Sequence, residues 1–262
     1  MLFLFKIMLP PLLVGAMSLA ARRWGPTVGG LLMGLPWMTG PVLFFLALDK
    51  GDDFAVGACT GIELGVACIC AFMLAYGAVS TYARWPLSIL AAFVAFAGAA
   101  WATQSIVLSL WGASALAAAC LAVTALLLPR PKAMPVLSAP PWWDIPARML
   151  ATLLLVAGIM LCADLLGPQL SGIISTYPAI LTVIGTFTHQ QWGCDAVRRV
   201  LRGLALSLFA FVMFFLVVGK SLPALGLAGS FVVATLAALA ISAGLMARNQ
   251  RRLGRRSAAV AR

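Results

Sequence analysis

What most constrains this chain is the recurrence of apolar runs along nearly its whole length, each long enough to cross about 30 Å of hydrocarbon as a helix. A helix satisfies its own backbone polar groups, so such runs fold in lipid as a helical bundle. Hydrophobic residues make up 63% of the chain and charged residues only 10%, a balance no water-soluble domain exposes safely. The expected fold is therefore all-α, a single polytopic membrane domain of about nine transmembrane helices. They are expected near 2–21, 25–48, 54–78, 85–103, 105–128, 146–166, 168–190, 196–218 and 222–247. Residues 85–128 exceed one span at about 1.5 Å per residue, which requires a tight turn near Thr103-Gln104-Ser105. Pro129 to Pro141 forms the long linker, and Trp142-Trp143 after it suits the headgroup interface. The first run reads as a span rather than a cleaved signal, because Lys6, Pro10-Pro11 and Arg22-Arg23 break the signal pattern.

Basic residues give a net charge of +11, but they sit between apolar runs and in the tail. Anionic phospholipid at basic loops is the expected partner, and nucleic acid is not. With the N-terminus outside, Arg22, Arg23, Arg84, Arg130, Lys132, Arg148, Arg198, Arg199, Arg202 and the tail arginines Arg248, Arg251, Arg252, Arg255, Arg256 and Arg262 all fall inside. Only Lys6, Lys50 and Lys220 remain on the other face. Because Lys and Arg resist translocation, the bias places the N-terminus on the outer side and the C-terminus in the cytoplasm.

Within this frame lies an internal likeness. Gly25-Pro26-Thr27-Val28-Gly29-Gly30 aligns with Gly167-Pro168-Gln169-Leu170-Ser171-Gly172. At the same offset Pro36 falls on Pro178, Phe45 on Phe187, Gly51 on Gly193 and Asp53 on Asp195. These are mostly helix-breaking or turn residues, whose coincidence merely apolar composition does not produce. Five crossings separate the matched second and seventh spans, so the copies run in opposite senses. Trp85-Pro86-Leu87 resembles Leu222-Pro223-Ala224, which leaves the fifth span unpaired. The expected organisation is two inverted-topology four-helix repeats joined by an extra linker helix. Residues 1–104 form the first repeat, 105–145 the linker helix and cytoplasmic loop, 146–247 the second repeat and 248–262 a basic tail.

The stretch Ser171-Gly172-Ile173-Ile174-Ser175-Thr176-Tyr177-Pro178, followed by Gly193-Cys194-Asp195-Ala196-Val197-Arg198, resembles the GlpM family of small bacterial inner-membrane proteins. Members are single units of about the size of one repeat. The resemblance implies a bacterial inner (cytoplasmic) membrane location and an association with polysaccharide production. It implies no established reaction or catalytic residue.

Candidate sites follow from interruptions and buried charge. Met33-Gly34-Leu35-Pro36-Trp37-Met38-Thr39-Gly40-Pro41 combines lost backbone donors with loosened helix halfway across the second span. Ser175-Thr176-Tyr177-Pro178 occupies the matching depth of the seventh. Interrupted helices at matching positions of inverted halves point to a midplane site, against the simpler reading of packing kinks. The substrate-binding candidates are Pro36, Thr39, Ser175, Thr176, Tyr177 and Pro178, with Glu63 and Arg202. Glu63 is an acid well inside a span, where an unpaired charge costs several kcal/mol, so it is expected to be protonated, functional as a coupling group, or paired with Arg202. Arg202 either does that, binds an anionic substrate, or snorkels to the inner surface. Gly30 and Gly34 present a small face for close helix crossing, as do Ser171 and Ser175. Asp53 and Asp195 read as helix caps, His189 as an interfacial polar residue or a proton relay, and the six cysteines as small core residues.

No nucleophile elbow, phosphate loop or zinc motif occurs, so neither an enzyme nor a cofactor is expected. The function expected first is a secondary transporter of a small, anionic solute, alternating access between the two broken spans. Its rival is a translocator of a lipid- or polyprenyl-linked glycan, or a non-transporting subunit of envelope polysaccharide biosynthesis. A groove open to lipid favours the rival, and a closed polar cavity favours the solute carrier. The sequence leaves a homodimer open.

Overall fold

The computed structural model describes residues 2–37, 39–132, 141–175 and 177–260, and their side chains except at 2–6, 160–175, 246 and 248–260. All regular structure among them is helical: α1 (Leu2–Trp24), α2 (Pro26–Met33), α3 (Thr39–Lys50), α4 (Asp52–Val79), α5 (Trp85–Thr103), α6 (Leu110–Leu127), α7 (Asp144–Ser175) and α8 (Ala179–Val260). The last of these is not one rod, because Gly193 (φ 79°, ψ −178°) and Gly226 (φ 63°, ψ −179°) leave helical geometry and divide it into limbs 179–192, 194–225 and 227–260. Among the described residues α4, α5, α6 and Ala179–Leu245 of α8 are long and apolar enough to cross a membrane.

The expected helix over 25–48 is broken, as its proline and glycine content required, into α2 and α3. Two boundaries differ from expectation. The backbone continues as one helix through Gly167-Pro168, giving α7 32 residues, more than one crossing requires. The ninth helix begins after Gly226 rather than at Leu222, and Pro223 lies inside the preceding limb. Gly226 decides the turn because its positive φ with extended ψ is open essentially only to glycine. The match of Trp85-Pro86-Leu87 with Leu222-Pro223-Ala224 is thereby corrected. Arg84, which precedes α5, instead corresponds to Gly226 at the offset that relates all the other pairs.

That offset extends to backbone and burial. Gly51 (φ 86°, ψ 172°) turns the chain into α4 in the conformation that Gly193 adopts before the second limb of α8. Trp37 N–H donates to Leu35 O at 2.8 Å, and Ala179 N–H to Tyr177 O at 2.8 Å. Gly40 N–H reaches Pro36 O at 3.0 Å, and Thr182 N–H reaches Pro178 O at 2.9 Å. Buried positions on α5 are Ser88, Ala92, Phe96 and Ala100, and those on the last limb are Ser230, Ala234, Ala238 and Ser242. Each set follows the four-residue spacing of one helix face. The helix α6 stands outside this correspondence.

Packing is closest where α2 crosses the second limb of α8. A Cβ on Gly30 would strike the Val200 carbonyl oxygen, one on Gly34 the Ser207 hydroxyl, and one on Gly203 the Thr27 carbonyl oxygen. Ser207 Oγ donates to Gly30 O at 3.2 Å across this seam. The small face expected at Gly30 and Gly34 is thus used for backbone approach. Around it, Phe72, Tyr76, Leu121 and Leu201 form one apolar cluster, and Leu43, Leu110, Phe214 and Phe215 another. Cys59, Cys68 and Cys70 are buried in these clusters. Outward-facing Leu12, Leu87, Trp101, Leu126 and Leu236 are exposed, as lipid contact requires.

The bundle has two chemically distinct ends. One joins Arg22, Asp144, Arg148 and Gln191, with Asp195 and Arg198 paired at 3.1 Å. At the other, Lys50 lies 5.0 Å from the Phe54 ring and Lys220 5.3 Å from the Trp111 ring.

Candidate functional site at the broken helices

Where α2 ends, the chain cannot continue as helix because Pro36 has no amide hydrogen and its ring fixes φ. The indole Nε1–H of Trp37 fills one freed acceptor, Leu32 O, at 2.9 Å. Beside this break opens a cavity of about 420 Å³. Leu35, Pro36, Trp37, Gly40, Pro41, Phe44 and Phe45 form one wall, and Phe214, Phe231, Thr235, Ala238 and Leu239 the other. Among the described residues, Thr235 supplies the only polar side chain besides the Trp37 indole. Phe44 meets Phe231 edge to face at 5.1 Å, and Phe214 meets Phe231 at 5.8 Å, so stiff rings shape the floor. Trp37, Phe45 and Leu239 stand exposed at the rim. Because α3 runs from the break to Lys50, the cavity lies in the half of the bundle facing Lys50 and Lys220. Its size and apolar, aromatic lining are those of a small-ligand pocket.

At the second break, aromatic side chains occupy the corresponding positions among the described residues. Tyr177 packs against Phe72 at 6.1 Å, Phe93 at 5.9 Å and Phe96 at 5.4 Å between ring centroids. Its hydroxyl accepts a hydrogen bond from Thr182 Oγ1 at 2.9 Å. At the common offset Tyr177 corresponds to Leu35, Phe93 to Thr235, Phe96 to Ala238 and Thr182 to Gly40. The four positions that open the first site are the positions that close the second. Pro178 is half-buried beside Tyr177. Thr176 and the Ser175 side chain lie outside the described residues. Thr39 is half-buried at the start of α3 and does not line the cavity. The two breaks therefore contact different helices and do not enclose one polar chamber among the described residues.

Glu63 is fully buried on α4, but its partner is the Ser114 hydroxyl of α6 rather than Arg202. Its Oε1 has no hydrogen-bond partner, and no ion pair among the described residues reaches it. The expected Glu63–Arg202 pair is thereby overturned. Arg202 instead donates from Nη1 to Leu128 O at 2.8 Å, capping the end of α6, where a cation meets the negative pole of the helix. The capping role expected of Asp53 is also corrected. Gly51 precedes α4 without a side-chain cap, while Asp195 accepts the Lys132 amide at 3.2 Å and pairs with Arg198. His189 is buried, and its Nδ1 lies 3.3 Å from the Tyr76 hydroxyl.

A polar cluster that sequence reading missed joins three elements. Asp144, fully buried at the start of α7, contacts Arg22 from α1, Arg148 one turn on, and Gln191 from α8. Arg148, also buried, lies against the Phe187 ring at 5.1 Å and donates to Gln191 Oε1 at 3.0 Å. Burial alone would raise the Asp144 carboxyl, but Arg22, Arg148 and Gln191 together outweigh it and hold the group below the usual carboxylate range. The available signal was an Asp and an Arg four residues apart just after Trp142-Trp143. The aromatic cavity was legible only by laying α5 over the last limb, which sets Phe93 and Phe96 above Thr235 and Ala238.

These long apolar helices, kept together by glycine crossings and opened at one break, are those of a multi-pass helical membrane protein. No family model, curated protein or solved structure matches the chain.

Proposed function

We propose that this protein handles a lipid or lipid-linked substrate, such as a polyprenyl-linked glycan intermediate, whose apolar chain lies in the cavity beside Pro36. The observation that carries this reading is the cavity itself: about 420 Å³, walled by aromatic and aliphatic side chains. A small anionic solute, the function expected first, needs converging polar groups, and the cavity offers it only Thr235 and the indole. The resemblance of Ser171 to Arg198 to the GlpM family, with its link to polysaccharide production, points the same way. In this reading the chain crosses the bacterial inner membrane about nine times, as two inverted four-helix repeats with α6 as the unpaired linker. The shared backbone of the breaks, the Gly51 and Gly193 turns and the parallel burial of α5 and the last limb support it. The arginine-rich end faces the cytoplasm, where anionic phospholipid meets it. Glu63, facing Ser114 with one oxygen unpartnered, is the proposed titrating group if movement of the substrate is coupled to protons.

Reconstitution with a photoreactive phospholipid and a photoreactive polyprenyl phosphate tests the reading, because labelled peptides must include Phe44-Phe45 or Phe231 to Leu239. Labelling confined to other surfaces refutes it. Cysteines introduced at Asp52 and Lys132 must react from opposite sides of the membrane. Reaction of both from one side eliminates the topology. If Glu63→Gln leaves movement of a translocated lipid and its dependence on a pH gradient unchanged, the coupling role is wrong.

A further inference from the structure

The two breaks share a backbone, so their difference in side-chain volume bears on how the protein works rather than on how it folds. We infer that the apolar-chain site is one-sided. The protein accepts a lipid chain only in the half of the bilayer facing Lys50 and Lys220, and Tyr177, Phe93 and Phe96 permanently plug the equivalent groove in the half facing the arginines. This rests on the proposed lipid reading and adds to it the side of entry and the residues that set it.

Four observations carry the inference. The groove beside Pro36 and the plug at Tyr177 lie at corresponding positions, since Phe214, Thr235 and Ala238 of the one match Phe72, Phe93 and Phe96 of the other. Exposure matches as well: Thr235 and Phe93 both stand at the lipid-facing mouth, and Ala238 and Phe96, each 2% exposed, both lie deep. The plug is held rather than loosely lodged, because the Tyr177 hydroxyl is bonded to Thr182 and its ring meets three others. Lastly, the open groove is rimmed by exposed Trp37, Phe45 and Leu239, the surface that lipid covers.

The occupant is a lipid chain and not a helix of another protein. A helix about 10 Å across with its side chains is too thick for a cavity of about 420 Å³. An extended hydrocarbon chain fits, and burying its methylenes against these apolar walls is favourable. Two inverted repeats that bound substrate equally from both leaflets would need two equivalent grooves. Here aromatic residues occupy one of the two positions, and the substrate's chain is received from one side.

The test uses the full chain in liposomes containing a phospholipid with a diazirine in its acyl chain. After irradiation, label reaches the buried Phe214 and Ala238 at the first site and does not reach the buried Phe72 and Phe96 at the second, while lipid-facing residues such as Phe93 and Leu236 are labelled by bulk lipid in both. T235F/A238F, which copies the plugged arrangement, lowers labelling at the first site by about tenfold. F93T/F96A/Y177L, which copies the open arrangement, creates labelling at the second. Circular dichroism and size-exclusion chromatography show whether each variant folds. The filling variant decides alone if the emptied one does not fold, because its aromatic residues occupy positions the other repeat already accommodates. Equal labelling of both sites in the unmodified protein, or undiminished labelling in T235F/A238F, overturns one-sidedness while leaving the lipid reading intact. Absence of labelling at both sites removes the lipid reading itself.

Discussion

The breaks at Pro36 and Pro178 make the same backbone hydrogen bonds and diverge in everything their side chains do. Around Pro36 a leucine, a threonine, an alanine and a glycine leave a cavity. Around Pro178 a tyrosine, two phenylalanines and a threonine fill it. The limb after Pro36 ends in exposed Asp49 and Lys50, whereas the limb after Pro178 ends at Gln191, tied into the buried Asp144 cluster. The two breaks therefore share a backbone, and the cavity beside one of them is a property of side-chain volume. A proline-broken helix alone does not identify a site.

The comparison can be broken most decisively by reversing the packing at one position pair. Phe96→Ala at the filled break should cost about 3–5 kcal/mol of stability, read by thermal unfolding in detergent, while Ala238→Phe at the open break should cost less than about 1 kcal/mol. Equal losses would mean that the two sites are packed alike.

An effect of similar size is expected where the filled limb is anchored. Asp144→Ala leaves Arg148 buried without its carboxylate and should cost about 3–5 kcal/mol, with no comparable loss for Asp49→Ala at the exposed limb. The same carboxyl sets a pH dependence. Because its pKa is held below that of the unfolded chain, its contribution is fully present above about pH 4 and is lost as pH falls through the lowered value. Asp144→Asn, which has no carboxylate to protonate, should already be destabilised at neutral pH and lose less stability on acidification than the unmodified protein; an equal acid-dependent loss in both would remove Asp144 as an anchor.

A smaller effect tests the shared backbone directly. Gly51→Ala and Gly193→Ala each force a Cβ into a conformation glycine alone tolerates, and each should cost about 1–3 kcal/mol by the same measurement. A large loss at one and none at the other would break the correspondence. Least affected are the positions beside the two prolines. Thr182→Val removes the hydrogen bond to Tyr177 and should cost about 1 kcal/mol. Gly40→Ala, where the added Cβ meets Phe214 only at ordinary contact distance, should change stability by less than about 0.5 kcal/mol.

Much of this architecture was legible in the chain. The glycines and prolines at 25, 36, 51, 178 and 193 announce turns and breaks because few other residues tolerate those backbone states, and Gly30 and Gly34 announce a close crossing for the same steric reason. Glu63 was legible as a buried acid because an apolar run surrounds it. Its partner was not, since Ser114 lies on α6, 51 residues along the chain, and only packing brings it near. Arg202 was placed beside Glu63 by repeat arithmetic, but the carbonyl end of α6 lay closer.

The sequence by itself determined that this protein is a helical bundle for a membrane, where its helices break and how its charges divide between two ends. Hydropathy and backbone sterics are local, and a reader of single residues recovers them. Only the tertiary structure decided which break is open, which acid meets which arginine and which hydroxyl faces Glu63. Those outcomes depend on volumes and polar groups contributed by residues far apart in the chain, and no local pattern encodes their meeting.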